Sequence, residues 1–174
     1  MQTNDAVRLA VHTPIGPLVL SLAGRTVRAA RFEDAATSSP PAPPALAARL
    51  AAYFAGDLES LLTVPVDPGG TPFQRAVWNA LRRIPPGEVR SYSALARELG
   101  RAGAARAVGA ACARNPVALL VPCHRAVGKG GVLTGYAFGL ERKRWLLDHE
   151  ARGRGSMAGA CSASVGPWHC SSRQ

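Results

Sequence analysis

Cys123 stands between Pro122 and His124, with Arg125 directly after it, and this is where reactive chemistry could be assembled in the 174-residue chain. A free thiol titrates near about 8.5 and is only slightly ionised at neutral pH, so a nucleophilic cysteine needs a base or positive surroundings. His124 and Arg125 could supply both. Adjacent residues of an extended chain point to opposite faces, so His124 reaches the sulfur only through a tight turn after Pro122 or a bridging water. For an isolated Cys-His pair, a buried structural cysteine is the stronger reading.

Several elements must position this tetrad. The apolar run 117–121 is expected to be a strand that delivers Cys123. Upstream, Thr71-Pro72-Phe73-Gln74 offers a side-chain acceptor, a proline at the first helical position and a glutamine three residues on, which is a helix start. Phe73, Val77, Ala80, Leu81 and Ile84 then share one apolar face, and Pro85-Pro86-Gly87 stops the helix. Ser91 can cap a second short helix with Leu95 and Leu99 inward, and a turn from Gly100 to Gly103 leads to a third, closed by Pro116. Helix, short glycine-containing turn, helix is the helix-turn-helix pattern, although many α domains hold such a corner. The third helix is rich in small residues, with Arg106 and Arg114 projecting from it. Tight packing on a neighbouring helix would explain this, as would entry into a DNA groove.

The first part of the chain reads differently. Residues 7–13, 18–22 and 27–32 alternate apolar and polar, and turn residues separate them at 14–17 and at Gly24-Arg25, so a three-stranded antiparallel meander is expected. The proline-rich segment 37–44 is a loop. Leu46, Leu50, Tyr53 and Phe54 recur at helical spacing up to Gly56, and residues 64–70 look like a final strand running into a linker. Three regions result: an α/β unit over 1–70, a mostly α unit over 71–150, and a Ser, Gly and Ala-rich tail over 151–174, expected to be disordered.

Charge is unevenly spread among them. The chain holds 21 Lys+Arg against 11 Asp+Glu, and residues 71–150 alone carry an excess of eight positive charges. Such a concentration suits a polyanion binder, and a solvated basic surface is the plainer alternative. No apolar run approaches the roughly 20 residues that cross a bilayer, and the first residues lack a secretory pattern. A soluble cytoplasmic protein with no membrane association is expected. The four cysteines show neither metal-ligand spacing nor disulfide-scaffold density, so reduced thiols and no metal are expected.

Taken together, Pro122-Cys123-His124-Arg125, the helix 105–116 before it and the stretch 135–150 after it closely resemble the methylated-DNA-protein-cysteine methyltransferases. This family reverses alkylation at guanine oxygen in DNA. The resemblance runs over 71–150 in order and spacing. It implies an RNase H-like α/β N-terminal domain, with a small antiparallel sheet plus helix, before a C-terminal domain with a winged-helix or helix-turn-helix-like motif. Cys123 then matches the alkyl acceptor, His124 the base that works through a water, and Glu150 the carboxylate that orients the imidazole. Tyr92 matches the tyrosine that donates a proton to the departing guanine and crowds the phosphate. Arg106 matches the arginine that fills the vacated base stack, with Ala105, Arg114 and Arg125 as further DNA contacts. Asn115 matches the hinge between helix and strand, and Tyr136, with the backbone at Ala126 and Ala137, the guanine pocket. Phe138 stands where many bacterial relatives have Trp, and Ala126 where Val is common, so the pocket's size is not set by the resemblance. Gly131 and Gly135 suit a loop that needs positive φ or close approach of a ligand. The implied partner is double-stranded alkylated DNA, met by a monomer that needs no cofactor. Two rivals remain: a damage sensor that binds without transfer, disfavoured by the cysteine at 123, and a thiol hydrolase that turns over.

Overall fold

The computed structural model describes residues 7–34 and 39–157, except the side chains of 154–157. Three strands, β1 (Val7–Val11), β2 (Leu18–Ala23) and β3 (Thr26–Phe32), form the expected antiparallel meander in the order β1-β2-β3. Their inward residues, among them Leu9, Leu18, Leu20, Val27 and Ala30, are buried, and helix α1 (Pro44–Ala55) adds Leu46, Leu50 and Tyr53 to the same core. Gly56 ends α1 at φ 112, a left-handed cap that glycine adopts without steric cost.

Segment 64–70 is not a strand. It makes one isolated bridge, Val27 to Val66, with hydrogen bonds from Val27 N to Pro65 O and from Asp67 N to Val27 O. Pro65 and Pro68 have no amide hydrogen to extend a ladder.

Helix α2 (Pro72–Arg82) starts with the predicted capping box: the Gln74 amide donates to Thr71 Oγ1, and the Thr71 amide donates to Gln74 Oε1. Val77, Ala80, Leu81 and Ile84 are buried as expected, and Phe73 is partly so. Trp78, which falls outside that face, is buried as well, and its indole donates to the carbonyl of Ala111 at 3.0 Å. Helix α3 (Tyr92–Glu98) is capped by Ser91 Oγ, and α4 (Ala105–Ala113) follows a turn in which Gly100 and Gly103 have positive φ. Two short parallel strands, β4 (Arg90–Ser91) and β5 (Ala126–Val127), tie the start of α3 to the chain that follows Cys123. The last helix, α5 (Leu140–Met157), continues past Glu150, so the part of the tail nearest the fold is helical; residues 158–174, also expected to be disordered, lie outside the described residues.

One core cluster joins the meander and α1 to α2, α3, α4 and α5, through residues such as Leu20, Leu50, Leu81, Leu95, Val108 and Leu146. Arg142 of α5 adds polar ties across it, donating to the carbonyls of Ile15 and Phe138 and pairing with Asp34. Among the described residues no helix is long and apolar enough to cross a membrane.

Candidate active site

The run 117–121, expected as a strand, is instead a tight turn. After one bridge from Val117 to Ala30, the chain coils back, with Leu120 N donating to Ala118 O and Val121 N to Val117 O. Leu119 sits at φ 69, a conformation that no residue type there announces. A 3-10 turn over Cys123–Arg125 follows, which places His124 and Cys123 on a coil rather than on opposite faces of a strand. This is the tight turn that the sequence offered as one of two alternatives after Pro122, the other being a bridging water.

Asn115, between α4 and this turn, holds the turn together. Its side-chain oxygen accepts from the Val117 amide at 3.0 Å, and its Nδ2 donates to Val121 O at 2.9 Å and to Cys123 Sγ at 3.2 Å. Burial pushes the Cys123 thiol up, and the Asn115 hydrogen bond and the Lys143 ammonium act against that rise. Cys112 faces the same cavity, with burial pushing its thiol up to about 12.

His124 is fully buried, and its Nε2 lies 2.9 Å from Glu150 Oε1. With that nitrogen protonated, Nδ1 keeps its lone pair, and it has no hydrogen-bond partner among the described residues. Burial lowers the imidazole pKa below its ordinary value, against the pull of Glu150. Glu150 itself is saturated. Its carboxylate accepts from His124, from Arg125 Nε and Nη2 at 3.0 and 2.8 Å, from the Tyr53 hydroxyl at 2.7 Å and from the Gly87 amide at 3.0 Å. Burial alone would push this carboxyl up, but His124 and Arg125 together overcome that and hold it well below the ordinary carboxylate range.

A depressed folded pKa gives stability that is present above the unfolded value and lost as pH falls toward the folded one. Glu150 should therefore cost the fold stability once pH drops below about 4, the ordinary glutamate range. Thermal melts across that interval check this. Glu150→Gln should melt lower at neutral pH and lose part of the acid dependence.

A cavity of about 410 Å³ opens beside Cys123, walled by Gly109, Cys112 and Ala113 of α4 on one side and by Tyr92, Tyr136 and Ala137 on the other. The Tyr92 hydroxyl is 3.4 Å from the Thr134 carbonyl, and burial raises its pKa, so it is a neutral donor at physiological pH. The Tyr136 hydroxyl is buried without a partner among the described residues. Gly131 and Gly135 have the positive φ expected of them, at 82° and 36°. Lys143 fastens the floor: its Nζ donates to the carbonyls of Ala126, Thr134 and Gly135 at 2.7, 2.9 and 3.3 Å. Burial pushes this lysine down to about 8.

The structure thus brings Cys123, His124, Glu150, Asn115, Tyr92, Tyr136 and Ala137 to one place. Arg106 and Arg114 are exposed at the two ends of α4, Ala105 is half-buried, and the outer face between them presents Ala107, Ala110 and Ala113. One expectation is corrected. Arg125 is buried, its guanidinium committed to Glu150 and to the Ile84 carbonyl, so it is not a surface contact for a polyanion. Ala126 is fully buried and its carbonyl is taken by Lys143, which leaves that carbonyl engaged beneath the pocket. Sequence reasoning missed Tyr53, Lys143 and Cys112. A tyrosine at a core spacing and a lysine on an amphipathic helix carry no local signal of such roles; Cys112, on the small-residue helix beside the Cys-His pair, was the one within reach.

The chain's likenesses agree with this geometry. The family described as 6-O-methylguanine DNA methyltransferase, DNA binding domain, matches residues 72–152. A curated methylated-DNA-protein-cysteine methyltransferase of Salmonella typhimurium is 58% identical over 108 residues, which is 62% of this chain and 63% of that protein. The chain thus spans less than two thirds of that relative's length. The enzyme of the same name from Mycobacterium tuberculosis is 46% identical over 148 residues, covering 80% of this chain and 89% of the relative. The crystal structure of Mycobacterium tuberculosis OGT in complex with DNA superposes with a TM-score of 0.74 at 43% identity, over 84% of this chain and 93% of that one. A buried cysteine in a tight turn beside a histidine-carboxylate pair, together with these matches along most of the chain, places the protein in the methylated-DNA-protein-cysteine methyltransferase family.

Proposed function

We propose that the protein repairs DNA by direct reversal, moving a methyl or other alkyl group from the O6 of guanine, or a methyl from the O4 of thymine, onto Cys123. The observation that carries this is the Cys123 thiol on the cavity wall, held by Asn115, one residue from a buried histidine whose far nitrogen is fixed by Glu150. His124 Nδ1 takes the thiol proton through a water. The sulfur attacks the alkyl carbon, the S–C bond forms as the C–O6 bond breaks, and the electron pair leaves on the purine. Tyr92 donates a proton to the departing guanine, so the proton lost by sulfur is balanced by the one the base gains. Tyr136 and Ala137 flank the base. A thioether has no leaving group that water readily displaces, so each molecule acts once and needs no cofactor.

The alkylated oxygen faces its pairing partner inside a duplex, so the nucleotide must rotate out, at a cost of about a few kcal/mol that is smaller for a damaged base. Arg106 fills the gap, and Ala105, Arg114 and Asn115 belong to the helix and hinge that meet double-stranded DNA. The small outer face of α4 supports that placement. The same reading assigns residues 1–70 to an RNase H-like unit and 71–150 to a winged-helix or helix-turn-helix-like unit, in a monomer that works in the cytoplasm on DNA.

Mixing the protein with a duplex that contains O6-methylguanine and weighing its peptides tests the proposal. A gain of one methylene on the Cys123 peptide, at no more than one per protein, is the expected result. Bound duplex with unchanged mass would make the protein a sensor, and product in excess of protein would make it a hydrolase.

A further inference from the structure

Tyr53 comes from α1, far from the reactive turn in sequence, yet its hydroxyl donates to Glu150 Oε1 at 2.7 Å across a separation of 97 residues. That same oxygen accepts from His124 Nε2 at 2.9 Å and from Arg125 Nη2 at 2.8 Å. The tyrosine is held firmly. Its ring packs edge-on against Phe54, and its backbone carbonyl lies 2.8 Å from His149 Nε2. A phenylalanine would fill this buried space equally well, so packing does not account for the hydroxyl.

We propose that Tyr53 is a positioning residue for the transfer reaction: by donating to the oxygen that holds His124, it fixes the carboxylate and weakens its pull on an imidazolium, which keeps His124 neutral and able to accept the thiol proton. This rests on the reading of Cys123 as acceptor and His124 as base. Every group around the pair enters the balance. Arg125 from the 3-10 turn and Lys143 from α5 disfavour an imidazolium, as burial does, and Glu150 favours it. Tyr136 interacts electrostatically with Glu150, the Gly87 amide caps Glu150 Oε2, and His149 is turned toward the Tyr53 carbonyl. Removing one donor from Oε1 concentrates charge on the atom that faces His124 and favours the protonated ring.

The test measures single-turnover methyl transfer against pH for the full chain and for Tyr53→Phe, with the His124 imidazole followed by NMR in the free proteins. Tyr53→Phe should move the acid limb of the rate and the His124 titration upward by about half a unit to one unit, making transfer roughly three- to tenfold slower on that limb. On the alkaline side the rates should agree within about twofold. Placing a fluorotyrosine at position 53 alone, which sharpens the hydroxyl as a donor, should move both in the opposite direction, and it serves as the readout if the phenylalanine protein folds poorly. Asp34→Ala, which breaks an exposed tie of Arg142, should leave the limb where it is and so separates this effect from general loosening. An acid limb and a His124 titration unmoved by either change at Tyr53 overturn the proposal. A wild-type protein that gains no methylene overturns instead the reading of Cys123, while the titration still decides the role of Tyr53.

Discussion

Glu150→Ala should lower the stability of the fold by about 3–5 kcal/mol and slow methyl transfer on the order of a hundredfold or more. The stability loss follows from what the carboxylate leaves behind. Arg125 and Tyr53 are buried, and each directs a donor at Glu150, as does the Gly87 amide. An uncompensated guanidinium in the interior costs far more than the pair contributes when intact. The loss of rate has a separate cause, since His124 no longer has a partner that fixes its Nε2 proton and turns Nδ1 toward its task. Denaturant unfolding gives the first quantity and single-turnover transfer the second. Arg125→Leu combined with Glu150→Leu should recover part of the stability and none of the rate. A Glu150→Ala protein that is as stable and as fast as wild type would falsify this account of the buried cluster.

Cys123→Ser should abolish methyl acceptance while sparing the fold. Serine is smaller and its oxygen can still accept from Asn115 Nδ2, so the turn keeps the hydrogen bond now made to sulfur at 3.2 Å. A hydroxyl is a much weaker nucleophile than a thiol at the same site, and the fall in rate should be on the order of 10⁴-fold or beyond detection. Affinity for a duplex with O6-methylguanine should persist, because no charge or groove contact is removed. A gel-shift titration paired with peptide mass analysis reads both. Methyl recovered on another residue of the serine variant, Cys112 above all, would show that the cavity rather than the turn chooses the acceptor. The hydrogen bond from Asn115 Nδ2 to Cys123 Sγ, which opposes the rise that burial imposes on that thiol, argues for the turn.

The features that sequence conveyed well are those written in short windows. The meander follows from alternation and from turn residues at Gly24-Arg25, and the α2 start follows from Thr71 and Gln74, whose reciprocal hydrogen bonds need only a separation of three. Cys123 and His124 were legible because they are adjacent. The turn from 117 to 122 was not, since five apolar residues in a row suit a buried strand as well as a coil packed in the core. Its coiling depends on Asn115, whose side chain satisfies three backbone groups of that segment, a contact no periodicity reports. Arg125 misled for a related reason: arginine is ordinarily exposed, and only Glu150, 25 residues on, makes its burial tolerable. Tyr53 and Lys143 show the same limit from the other side, for their partners are fixed by the packing of α1 and α5 and not by their neighbours in the chain.

The indole of Trp78 grips the Ala111 carbonyl on the inner side of α4, opposite the face formed by Ala107, Ala110 and Ala113. A helix tied to α2 in this way does not tilt away from it without losing that bond. In the proposed complex, the inner side of α4 is thus anchored to the protein core while its small-residue face stays free, so a larger share of any mutual adjustment falls on the nucleic acid.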